Sequence, residues 1–408
     1  MLAERLRLVT RIGTSLLILW GTTVVQQGAT AQSPLHRIQP AGSQQTAAVI
    51  VEHGALLHTT QLLPLDASGK LVGAGRIGPQ IDQLLDNLET VLGQFNVSMD
   101  RLVKLNVYVQ DAAVRKAFNA KLNERVPSGA QPAMAFVATK LPQGAAVGLD
   151  AVASVSSDAR QVVRTRVAGC SGGERCAHAA VLPQGDAVYV AGQAERMDSL
   201  AGSTRETLAG LRRTLEYLGL ELSDVVQVKC FMQPMAQSEV VQREMEEFFG
   251  DEVIPPVAYV EWVSSLPIEI ELVAHAPRVA FKQSVAYLTP PWMTRSPVYS
   301  RVGRIHGDAR IYISGLVAGT AGDGDEQVRD IFSSLVQALK LAGSDLQHLA
   351  KATYYVSDDD ASGQLNQLRP TYYDPLRPPS ASKAMVHAIG VTDRSISLDM
   401  IAAPAGNR

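Results

Sequence analysis

One pattern written three times is the feature that most limits what this chain can fold into. Residues 81–92 (IDQLLDNLETVL) are followed by 100–109 (DRLVKLNVYV), residues 207–215 (TLAGLRRTL) by 224–232 (DVVQVKCFM), and residues 331–339 (IFSSLVQAL) by 347–356 (QHLAKATYYV). Leu88, Leu211 and Leu335 correspond with steps of 123 and 124, and Lys104, Gln227 and Lys351 keep the same steps. Chance apolar periodicity does not hold register across a helix, a turn and a strand, so the chain is read as repeats of one supersecondary unit. The 377 residues after position 31 divide into three copies of about 126, an ordinary domain length.

Each copy runs through the same elements. Alternating segments such as 186–192 (DAVYVAG) and 310–315 (RIYISG) read as strands in an N-terminal strand pair. Ile81, Leu84, Leu85, Leu88, Val91 and Leu92 then fall at helical spacing on one face. A turn, an apolar strand, a second helix such as 240–249 and a proline-marked entry lead to closing strands at 147–153, 268–274 and 395–402. Helices and strands alternate too closely for a sandwich. The expected class is α+β, each copy a mixed sheet with two helices on one face. Polar links at 154–161 and 276–283 suggest domains at 36–155, 160–277 and 282–403.

The first 31 residues read differently. Arg5, Arg7 and Arg11 precede an apolar run over 12–25, and Ala29-Thr30-Ala31 supplies a small-residue cleavage pattern. That order is a secretory signal, and the run is short for a spanning helix. Export to the periplasm or the extracellular space is therefore expected. The alternative reading is an uncleaved N-terminal anchor, the only expected route to a membrane. An oxidising compartment would allow Cys170 and Cys176 to close a small disulfide loop, against the alternative of two free thiols. Cys230 lies in an apolar run and reads as a core thiol. A net charge of −3 and an aromatic content of 5% weigh against a nucleic-acid partner. No metal or cofactor pattern stands out.

The ordered blocks, the V-K-x-x-V-Y-V-like strand, the P-A/P-x entry and the closing strand resemble the reactive intermediate deaminase (Rid) family, also called YjgF or L-PSP endoribonuclease. The resemblance covers nearly all of the chain after residue 31, three times. It implies a chorismate-mutase-like fold, and homotrimers with ligand clefts between subunits. Three copies in one chain would then form an intrachain pseudo-trimer, monomeric by mass. The family's activity is hydrolysis of enamines and imines, with an arginine gripping the substrate carboxylate and a glutamate orienting water.

Carried over residue by residue, the arginine position falls on Met134, Val257 and Ser380, none of them arginine. The glutamate position falls on Gly148, Glu269 and Ser397, and the early-strand glycine on Thr60, Gly192 and Gly315. The second-helix asparagine falls on Asn119, Gln242 and Asn366, and the early-strand aromatic is matched by Tyr299. Plain structural readings stand beside these. Gly192 and Gly315 would allow close backbone approach. Asn119 and Asn366 would tie a helix to a strand, and Glu269, alternating with Glu271 on an edge-like strand, would be a solvated or salt-bridged carboxylate. Ser380 with His387 and Lys383 nearby is a remote hydrolytic pairing. The expected function is an exported small-molecule binder whose ligand lies between copies two and three, with copy one mainly structural. The alternative is a divergent enamine or imine deaminase, or another hydrolase, using Glu269; a ribonuclease is disfavoured.

Overall fold

The computed structural model describes residues 34–40, 45–170, 173 and 175–406. The secretory-signal segment lies outside them, so the cleavage site and its small-residue triplet do too. Among the described residues no helix is long and apolar enough to cross a membrane.

The first copy contains β1 (Leu35–Ile38), β2 (Ala48–Val51), β3 (Ala55–Thr59), α1 (Ile77–Gly93), β4 (Leu102–Val109), α2 (Ala112–Arg125), β5 (Ala133–Ala138) and β6 (Val147–Val155). The second contains β7 (Val163–Thr165), β8 (Ala179–Leu182), β9 (Asp186–Gln193), α3 (Leu200–Tyr217), β10 (Val225–Met232), α4 (Ser238–Phe249), β11 (Val257–Glu261) and β12 (Ile268–Ala276). The third contains β13 (Val285–Leu288), β14 (Val302–Ile305), β15 (Arg310–Ile313), β16 (Leu316–Val317), α5 (Gly324–Leu341), β17 (Leu349–Val356), α6 (Asp359–Tyr372), β18 (Ser380–Met385) and β19 (Ile396–Ala402).

These strands form three mixed sheets, but no sheet belongs to one copy. The orders are β5-β4-β6-β3-β8-β7, β11-β10-β12-β9-β14-β13 and β18-β17-β19-β15-β2-β1, with β16 on β19. Two sheets take four strands from one copy, the third takes five counting β16, and each draws its outer pair from another copy. The second copy's arm completes the first sheet, the third copy's arm the second, and the first copy's arm the third. The alternation at 186–192 and 310–315 marks β9 and β15, which stay in their own copy's sheet; each copy carries two further strands before them, and this arm pairs outside its own copy. Arg37, Arg164 and Tyr287, equivalent positions on the three arms, reach back to their own copy. They donate to the carbonyls of Asp100 and Leu102, of Leu222 and Val225, and of Gln347 and Leu349.

Packing follows the periodicity. The apolar stripe of α1 buries Ile81, Leu84, Leu85, Leu88, Val91 and Leu92 against the first sheet, and α3 and α5 do the same on theirs. Asp111, Ser199, Asp323 and Asp358 cap helix N-termini by accepting backbone N–H groups. The other faces of the sheets meet each other, where Val49, Leu56, Val103, Tyr189, Val226, Tyr312 and Ala350 form a shared core. The described residues accordingly make one compact unit.

Candidate functional site

The ladders define equivalent positions independently of the prolines. Leu105, Val228 and Ala352 share the repeat step, and their parallel partners are Met134, Val257 and Ala381. The place assigned to Ser380 from the Pro-Pro entry therefore belongs to Ala381, because Pro378-Pro379 sits one position earlier in the repeat register than Pro255-Pro256. Ser380 shares a strand face with Ser382 and is 1% exposed. His387 lies beside Glu261, Nε2 to Oε2 3.6 Å, rather than with Ser380. Likewise Leu62 pairs with Leu149 as Gln193 pairs with Ile270, so the residue matching Gly192 is Gln61, not Thr60. Gly148, Glu269 and Ser397 do correspond, facing Tyr108, Phe231 and Tyr355.

Between copies one and two lies an open cleft of about 820 Å³. Leu62, Leu63, Leu65 and Leu141 come from the first copy, and Met235, Val257, Tyr259 and Gln242 from the second. Gln61 fixes this boundary: its amide donates to Tyr259 O at 2.9 Å, and its backbone N–H donates to Val257 O at 2.8 Å. Gln242 accepts from Tyr259 Oη at 3.3 Å and donates to Cys176 Sγ at 2.7 Å. Cys170 and Cys176 both line the cleft as free thiols, so the possible disulfide is not formed. Burial pushes both thiols above their ordinary pKa, which keeps them protonated and poor nucleophiles.

The boundary between copies two and three carries different chemistry. A Cβ on Gly192 would lie 1.9 Å from Glu269 Oε1, so the absent side chain makes room for the carboxylate. Burial, then the charge of Glu271, raises the Glu269 pKa to about 7, opposed by a hydrogen bond with Ser382 and by Arg301. Ser382 Oγ accepts from Gly192 N at 3.0 Å and donates to Glu271 Oε2 at 2.8 Å. Arg301 lies over the Tyr299 ring at 5.0 Å. Asn366 Oδ1 accepts from Lys383 Nζ at 3.2 Å and from Arg369 at 3.0 Å. Burial, then Arg369, lowers the Lys383 pKa. The structure thus joins Gly192 to Glu269 and adds Ser382 and Arg301, which sequence reasoning missed. Lys383 lies near Ser380 in sequence, and its tie to Asn366 joins β18 to α6, which no local pattern records.

The boundary between copies three and one is closed at Gly315. Its N–H donates to Met134 O at 2.7 Å, and a Cβ there would lie 2.7 Å from Ala135 Cα. Arg115 lies over Phe136 at 4.4 Å and reaches Gly390 O. Asn119 Oδ1 is buried without a hydrogen-bond partner.

Where the three sheets meet, the repeat builds a ring of charges. Lys104 of copy one pairs with Asp399 of copy three at 2.7 Å, and Lys351 of copy three with Glu271 of copy two at 2.5 Å. In the remaining sector Gln227 of copy two donates to Asp150 of copy one at 3.4 Å. Burial works against the ammonium of Lys229, but Tyr108, Tyr355, Asp150 and Glu271 around it raise its pKa well above the ordinary value. Lys229 therefore supplies the third positive charge that Gln227 lacks, and three lysines balance three carboxylates. Among the described residues no cluster of histidine, cysteine and carboxylate side chains is arranged to hold a metal ion.

Mixed sheets with paired helices on one face, repeated along the chain and meeting through their other faces, define a tandem α+β protein of the Rid type. The model of the endoribonuclease L-PSP family matches residues 36–155 and 176–276, more than half of the chain, and the chain belongs to that family. Similar solved structures include a YjgF-family protein from Neisseria meningitidis (19% identity, 31% of this chain and 100% of that one, TM-score 0.24). A member of the YjgF/YER057c/UK114 family from Mycobacterium tuberculosis shows 21% identity over 29% of this chain and 99% of that one, TM-score 0.22. A putative endoribonuclease L-PSP from Entamoeba histolytica shows 27% identity over 30% and 100%, TM-score 0.23. No curated protein matches the chain.

Proposed function

We propose that this chain is an exported small-molecule-binding protein, a covalent pseudo-trimer of Rid units whose principal ligand site is the cleft between copies one and two. One observation carries the reading: the cleft of about 820 Å³ lies between two copies, and its size falls in the range of small-molecule sites. This differs from the expectation that copies two and three would hold the ligand. Val257 stands at the arginine position and Gly148 at the glutamate position, so the cleft has space without the carboxylate grip or water-orienting carboxylate of imine hydrolysis. A metabolite screen by thermal shift tests the reading, with hits expected to be lost when Leu63→Trp fills the cleft; hits unaffected by that change would refute it. Native mass is expected to correspond to one chain, and a mass of three chains would refute the pseudo-trimer.

A second reading rests on Glu269, whose pKa near 7 suits a general acid or base at neutral pH. In it the boundary of copies two and three is a hydrolase site for an enamine or imine. Ammonia release from freshly generated imino acids, compared with Glu269→Ala, decides it; equal rates would end the claim. The near-neutral charge and sparse aromatics give a ribonuclease no support.

A further inference from the structure

We propose that the cleft between copies one and two takes an uncharged, predominantly apolar ligand and rejects carboxylates and phosphates. The proposal rests on the small-molecule reading above and names the ligand class. Its first support is charge. Among the described residues no arginine lines the cleft, and its one lysine, Lys140, pairs with Glu261 at 3.1 Å. Glu239 adds a carboxylate to the lining, and Glu246, which accepts from Gln242 at 3.2 Å, adds another behind it. An anion entering here would lose its hydration and meet no unneutralised cation.

The second support is the state of the polar groups. The Gln61 amide is engaged by the backbone of Tyr259. The Asn87 amide donates to the carbonyls of Leu63 and Leu65, both at 2.9 Å. Gln242 is shared among Tyr259, Cys176 and Glu246. These side chains hold the walls apart. Besides them and the polar groups of Thr60, Gln143, His178, Ser238 and Glu239, the cavity presents apolar surface from Leu62, Leu63, Leu65, Leu141, Met235 and Val257, with two protonated thiols. Sulfur and leucine surfaces favour aromatic or alicyclic bodies over charged ones.

The third support is internal contrast. By repeat step and ladder register, Tyr259 and His178 correspond to Lys383 and Arg301 at the boundary of copies two and three. Lys383 and Arg301 stand at one boundary where Tyr259 and His178 stand at the other, whose lining has no arginine and only the paired Lys140.

The test uses two near-isosteric dyes, neutral N-phenyl-1-naphthylamine and its sulfonate analogue 8-anilino-1-naphthalenesulfonate, titrated by fluorescence against the mature chain. The neutral dye is expected to bind saturably and at least tenfold more tightly. Val257→Arg is expected to reverse that order, and Leu63→Trp, entering from the opposite wall, to abolish neutral-dye binding even if the arginine variant does not fold. Tighter binding of the sulfonate to the parent protein, lost in Leu63→Trp, would overturn the ligand class while leaving the cleft as a site. Binding of both dyes unchanged by Leu63→Trp, or no binding of either, would overturn the use of this cleft and the proposal with it.

Discussion

Replacing Lys351 by glutamine tests the ring of buried charges most directly. Its ammonium is 2.5 Å from Glu271 and 3.1 Å from Thr353 Oγ1, with both members of the ion pair nearly buried. Removing one member of such a pair leaves a buried carboxylate uncompensated and costs about 3–5 kcal/mol. Lys229, near enough to feel Glu271, places the expected loss at the lower end of that range. The double variant Lys351→Gln with Glu271→Gln removes both charges and copies the amide already present at Gln227. It should recover at least half of the loss, since neutral replacement of a buried pair is often nearly free of cost. Urea unfolding followed by circular dichroism, on the parent, both single variants and the double, gives the coupling energy. A Lys351→Gln loss below about 1 kcal/mol, or a double variant no more stable than the single, would refute the view that charge balance holds the three sheets together.

Glu269 should leave a signature in stability against pH. Its folded pKa of about 7 lies above its ordinary 4.5, so between those values the folded state holds the proton more firmly and stability falls as pH rises. Glu269→Gln should remove that downward contribution; an identical slope in the variant would show that the group is not buried as described. His58 contributes with the opposite sign, because burial lowers its pKa to about 4 from 6.5, and its contribution to stability is lost as pH falls through that window. His58→Gln should flatten the acid limb of the same curve. Gly192→Ala should destabilise by roughly 1–3 kcal/mol through collision with Glu269, and adding Glu269→Gly, the residue that Gly148 supplies in copy one, should relieve most of it. Arg164→Ala removes bonds to Val225 O and Val253 O and should cost about 2–3 kcal/mol in a thermal melt, with faster proteolysis of the second arm.

Much of the fold was legible because it is written in local periods. The stripe from Ile81 to Leu92 and the alternation of 186–192 depend only on neighbours along the chain, and both sit where those patterns place them. The choice of strand partner was not legible. Three similar copies offer three similar edges, and nothing within 179–182 says whether β8 joins its own sheet or that of copy one. The site was harder for a related reason. Irregular pairing near Leu62 and Gln193 and a proline pair set one position earlier before β18 shift equivalence by one residue, so the motif points to Thr60 and Ser380 where the ladder gives Gln61 and Ala381. Ser382 was findable in principle, since strand alternation puts it on the same face as Ser380. Its link to Gly192 crosses between copies, which no local pattern records. The separation of space from charge, an open cleft at one boundary and Glu269 at the next, appears only when side chains from different copies are placed together.

The exchange of arms also sets an order on folding. β1 and β2, the earliest strands among the described residues, find their place beside β15 in the sheet of the third copy. That pairing joins segments more than 250 residues apart, as at Val51 and Arg310, and long-range closure of this kind is slow. The ring therefore cannot shut until the last copy has been made. A nascent chain stays open throughout its synthesis, with β1 and β2 waiting for the strands of the third copy.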